Sequence, residues 1–114
     1  MIETDGIDPM MIANNLKPQY PTHPGEIIQD EIDYMHISQK EFAERIGVSC
    51  SQVNQILKGK RQVNTEFALL TEAATGIPAD LLLRMQTRYD RIKTENKPGF
   101  MEKLKSIQKF AAAL

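Results

Sequence analysis

One cysteine, no tryptophan and a net charge of only −1 leave this sequence without the simplest functional signatures. The lone Cys50 excludes an intramolecular disulfide framework and any cysteine-rich zinc site. His23 and His36 are the only histidines, and neither falls in an HExxH or cysteine–histidine spacing, so no metal centre is expected. No apolar run approaches the roughly 18 residues of a membrane span. No charged stretch followed by an apolar one opens the chain, so no secretory leader is expected. Catalytic constellations are missing too. Glu26, Asp30, Glu31 and Asp33 fall on different sides of a helix with no nucleophile, base or glycine-rich phosphate loop nearby, the pattern of a solvated acidic face. The expectation is a cytoplasmic protein that is not an enzyme and needs no cofactor.

What is present is ordinary in bulk and uneven in detail. A chain of 114 residues with 25% charged and 41% hydrophobic side chains fits one domain with tails. Residues 1–35 carry seven acids against Lys17 alone, a net of −6. Residues 36–62 carry Lys40, Arg45, Lys58, Lys60 and Arg61 against Glu41 and Glu44, a net of +3. An acidic front and a basic centre fit a middle that faces nucleic acid.

The chain divides into three segments. Residues 1–22, with Gly6, Pro9, Pro18 and Pro21, read as an extended acidic arm with at most a helical turn near Met10–Asn15. Residues 23–95 read as five helices, and residues 96–114 as a further amphipathic helix beyond the break at Asn96-Lys97-Pro98-Gly99. The first helix, near 24–35, has Pro24 at its start, Glu26 in its first turn, and Ile28, Ile32 and Met35 at helical spacing. Ser38 with Glu41 reads as a capping box opening a second helix over 39–46, with Phe42, Ala43 and Ile46 inward. Ser49 caps a third, near 50–58, with Val53, Ile56 and Leu57 inward. A fourth begins at Asn64 or Thr65 and uses Phe67, Leu70 and Ala74. A fifth begins at Pro78 with Leu82, Met85, Tyr89 and Ile92 on one stripe. The last stretch aligns Phe100, Leu104, Ile107 and Phe110, with Lys103, Lys105 and Lys109 opposite, and is expected to pack on the fifth helix or on a second subunit rather than on a membrane. No window alternates with period two, so the fold class is all-α.

The second and third helices, joined by Gly47-Val48, have the layout of a helix-turn-helix over residues 38–58. Gly47 supplies the positive φ of the tight turn, and Ala43 is small where the two helices cross. Cys50, Ser51, Asn54 and Gln55 point away from the apolar side of the third helix, with Gln52 beside them. Asn and Gln amides pair with adenine edges in the major groove, and hydroxyls are permissive partners. Gln39 is placed to touch a phosphate or brace a reading side chain. Ser49, Lys58, Lys60 and Arg61 would meet phosphates, adding affinity without sequence information. No acid occurs between Val48 and Asn64.

These residues carry a resemblance. Ser38-Gln39-Lys40-Glu41-Phe42-Ala43-Glu44-Arg45-Ile46-Gly47-Val48-Ser49 resembles the Cro/CI-type (XRE) helix-turn-helix domains. Thr22-His23-Pro24-Gly25-Glu26-Ile27-Ile28, Leu57-Lys58-Gly59-Lys60-Arg61 and Met85-Gln86-Thr87-Arg88-Tyr89-Asp90 resemble blocks of HigA-type antitoxins. The resemblance spans about residues 20–93. It implies a lambda-repressor-like five-helix domain and a homodimer on a palindromic operator in double-stranded DNA. It further implies repression of its own operon and neutralisation of a HigB/RelE-type ribonuclease toxin. The family's base-reading positions fall on Cys50, Ser51, Asn54 and Gln55, with Gln39 in support. A stand-alone regulator of the same family, without a toxin, is the alternative expectation.

Overall fold

The computed structural model describes residues 21–113, and the Met10–Asn15 turn and most of the N-terminal arm lie outside them. Six helices follow in order: α1 (Pro24–Tyr34), α2 (Gln39–Ile46), α3 (Cys50–Leu57), α4 (Thr65–Thr75), α5 (Ala79–Glu95) and α6 (Phe100–Ala113). There is no strand among the described residues.

Local chemistry accounts for the helix starts. The His23 ring accepts the Gly25 N–H at Nδ1 (2.9 Å), and Glu26 reaches back to the His23 N–H, forming a capping box at α1. Ser38, Ser49 and Asn64 cap α2, α3 and α4 by accepting from Glu41, Gln52 and Phe67 N–H at 2.8–3.1 Å. The expected box at α2 is half made, because the Glu41 carboxylate pairs with Arg45 (3.1 Å). The α5 helix begins one residue later than expected, with the Pro78 carbonyl accepting its first bond from Leu82 (3.2 Å).

Residues 22–91 form one compact unit. Its core gathers Ile28 and Ile32 of α1, Phe42, Ala43 and Ile46 of α2, Val53, Ile56 and Leu57 of α3, Val63, Phe67 and Ala68, and Ala79 and Leu82 of α5. Burial of the valine, leucine, isoleucine and phenylalanine side chains among these contributes about 1.5–3 kcal/mol each. Two stripes differ from expectation. In α4 the buried residues are Phe67, Ala68 and Thr71, while Leu70 and Ala74 sit at the core's margin. The buried arc of α4 runs from Phe67 through Thr71 to Ala68, so it is centred near Thr71, and Leu70, on the far side of Phe67 from Thr71, falls at its edge despite its hydrophobicity. In α5 Met85 and Tyr89 are half-buried and Gln86 is buried. Met35 lies past the end of α1 as its C-cap and is also half-buried.

The second unit contains α6, which buries no side chain completely. Phe100 and Leu104 are half-buried, whereas Met101, Ile107 and Phe110 are exposed.

Candidate nucleic-acid interface

The turn between α2 and α3 is tight because one carbonyl closes it twice. The Ala43 oxygen accepts from Gly47 N–H (2.9 Å) and Val48 N–H (3.1 Å), with Gly47 left-handed at φ 73°. Ala43 is almost fully buried, and Val48 packs at the core's margin. With Val53 and Ile56 also buried on the inner side of α3, its opposite side is committed to solvent.

On that side Cys50 and Ser51 are exposed and Gln52, Asn54 and Gln55 half-buried. Ser49 is exposed with its Oγ occupied as the helix cap. Lys58, Lys60 and Arg61 are exposed just beyond the helix. The base-reading candidates therefore line one helix face, and the candidate phosphate contacts Lys58, Lys60 and Arg61 sit at its C-terminal end. Two of the amides are held rather than free. Asn54 Nδ2 donates to Gln39 Oε1 (3.0 Å), and Arg61 Nε donates to Gln55 Oε1 (3.0 Å). Gln39 thus braces α3 from the first turn of α2, and Arg61 joins the basic loop to α3.

Three features that seat this surface have no simple signature in sequence. First, α1 enters against the C-terminal end of α3, where a Cβ on Gly25 would collide with the Ile56 carbonyl oxygen and lie 3.0 Å from Leu57 Cα. Only glycine permits that approach. Second, the buried His23 ring packs edge-on against Tyr89 (centroids 4.7 Å, interplanar angle 85°), and a Cβ on Gly59 would lie 3.6 Å from its Cγ. His23 so joins α1, the loop after α3, and α5. Third, Gln86 accepts the Val63 N–H (2.8 Å) and donates to Asp90 (3.0 Å). The carboxylate accepts only, so it turns the Gln86 oxygen toward the loop that carries Lys58, Lys60 and Arg61. The blocks around His23 and Met85 are thus two halves of one clamp.

No group of three or more His, Cys, Asp or Glu is placed to hold a metal ion among the described residues. No described helix is long and apolar enough to cross a membrane.

Two short helices joined by a glycine turn, the second presenting an acid-free amide face that runs into a basic loop, define a DNA-binding helix-turn-helix regulator. A helix-turn-helix family model matches residues 35–82. The chain is 36% identical over 69 residues to virulence-associated protein I of Dichelobacter nodosus, covering 60% of this chain and 64% of that protein. Among solved structures, the antitoxin GraA is 30% identical with a TM-score of 0.67, over 71% of this chain and 88% of that one. The Pseudomonas aeruginosa antitoxin HigA, solved with the higBA promoter, is 25% identical with a TM-score of 0.64, over 79% of this chain and 94% of that one. Residues 35–82 of the chain are thus a helix-turn-helix domain of the XRE type.

Proposed function

We propose that the protein is a transcriptional repressor that is also the antitoxin of a type II toxin–antitoxin pair, a HigA-type protein. Two copies bind a palindromic operator in double-stranded DNA, placing their α3 helices about one DNA turn (~34 Å) apart. Cys50, Ser51, Gln52, Asn54 and Gln55 read base edges, Lys58, Lys60 and Arg61 meet phosphates, and Ser49 and Gln39 support them. The protein represses its own operon and neutralises a HigB/RelE-type ribonuclease encoded beside it.

The observation that carries this reading is the amide-bearing, acid-free face of α3 on a fold shared with a HigA antitoxin that was solved on promoter DNA. Two assays test it. The purified protein is expected to shift duplex DNA from its own upstream region, and to migrate in solution as a dimer. Co-expression with the neighbouring reading frame is expected to yield a stable complex and to restore growth that the neighbour alone arrests. DNA binding without any toxic neighbour would leave a regulator and remove the antitoxin. Failure to hold any duplex would remove the repressor and leave the antitoxin to the co-expression result.

A further inference from the structure

The amide of Asn54 is the end of a chain that begins on another helix. Asp33 Oδ1 accepts from Gln29 Nε2 (2.9 Å), Gln29 Oε1 accepts from Gln39 Nε2 (3.3 Å), and Gln39 Oε1 accepts from Asn54 Nδ2 (3.0 Å). The series crosses from α1 through α2 to α3. Three amides alone could all turn over together, because each offers an oxygen on one side and an NH₂ on the other. The carboxylate at the start breaks that symmetry, since an ionised Asp33 can only accept. Gln29 must then show its NH₂ to Asp33 and its oxygen to Gln39, and each amide beyond is oriented in turn.

We propose that Gln29 and Asp33 are positioning residues that set the base preference of α3 by fixing which atoms of Asn54 stay free. This rests on the reading of α3 as the DNA-reading helix. With one Nδ2–H given to Gln39, Asn54 keeps one N–H and its Oδ1, a donor and an acceptor side by side. That pair complements the N7 acceptor and N6 donor of adenine in the major groove. An inverted chain would exchange the donor and acceptor positions and mismatch the same edge.

The test uses the full-length protein and a duplex from its own upstream region, with each base pair substituted in turn and binding followed by fluorescence anisotropy. Asn54→Ala first marks the base pair whose discrimination Asn54 carries. Gln29→Glu and Gln29→Lys are then compared at that pair, with thermal melting confirming that both fold. The carboxylate introduced by Gln29→Glu still offers an acceptor to Gln39, so the base preference is kept although the added negative charge weakens binding to every duplex. The ammonium introduced by Gln29→Lys offers a donor instead. It inverts Gln39 and Asn54 and lowers the preference at that pair by roughly 10-fold, although its positive charge strengthens binding overall. Charge acting alone would move both affinities and leave both preferences intact, and that result overturns the relay. So does a Gln29→Ala protein, folded normally, with wild-type preference at the marked pair. If the wild type holds no duplex, the assignment of α3 itself fails and the relay falls with it; if Asn54→Ala changes discrimination nowhere, Asn54 reads no base and the relay alone is overturned.

Discussion

Gly25 and Thr71 show how much rests on single atoms in this protein. A methyl group at position 25 would meet backbone at Ile56 and Leu57, which cannot swing aside as a side chain does. Gly25→Ala is expected to destabilise the fold by about 1–3 kcal/mol, the usual range for overpacking, read as a lower urea midpoint. It should also weaken DNA binding, because α1 abuts the end of α3. Thr71 is fully buried, and its Oγ1 has no hydrogen-bond partner. Replacing that hydroxyl by the methyl of valine removes a desolvated polar atom while keeping the β-branched shape. Thr71→Val is therefore expected to stabilise by about 1 kcal/mol in the same denaturation assay. The exchange lies on the inward side of α4 and should leave DNA binding unchanged.

The helices depend on their ends and on one polar anchor. The α3 helix has only eight residues, Cys50–Leu57, too few to persist without capping and packing. Ser49→Ala removes the acceptor for the Gln52 N–H and is expected to cost about 1 kcal/mol, visible in thermal melting. Affinity for specific DNA should fall with it, since the proposed reading residues begin one position later. Gln86 plays the corresponding part for the basic loop. Gln86→Leu would strand the Val63 N–H in the interior, at a cost of roughly 1–3 kcal/mol. It should also weaken binding to all duplexes alike, because the loop it holds carries the proposed phosphate contacts rather than base contacts.

Across the whole molecule the charge is nearly balanced, yet its distribution is not. The net charge of −1 gives no hint of a nucleic-acid partner, whereas Lys58, Lys60 and Arg61 are exposed together beside α3. Lys60→Ala is expected to lower affinity uniformly and to reduce the slope of log K against log salt by about 1. Arg61→Ala should do the same and, unlike Lys60→Ala, relax base preference as well. Its Nε occupies the Gln55 oxygen and leaves that amide presenting donors. Titrations at several salt concentrations with matched and mismatched duplexes separate the two effects.

The helical framework was legible because its determinants are local. Apolar residues at helical spacing, Ser38, Ser49 and Asn64 before their helices, and Gly47 between two of them act through neighbours in the chain. The sequence alone therefore determined the helices, the turn and the side of α3 that faces outward. Contacts between distant residues decided what remained. The part Gln86 plays appears only once Val63 is brought to it, that of Gly25 only once α3 lies against it, and Leu70 reads as core until α4 turns Thr71 inward. The direction of the amide series ending at Asn54 is of the same kind. An amide has no preferred orientation of its own, and only folding that places Gln29 and Asp33 in line with Gln39 can give it one.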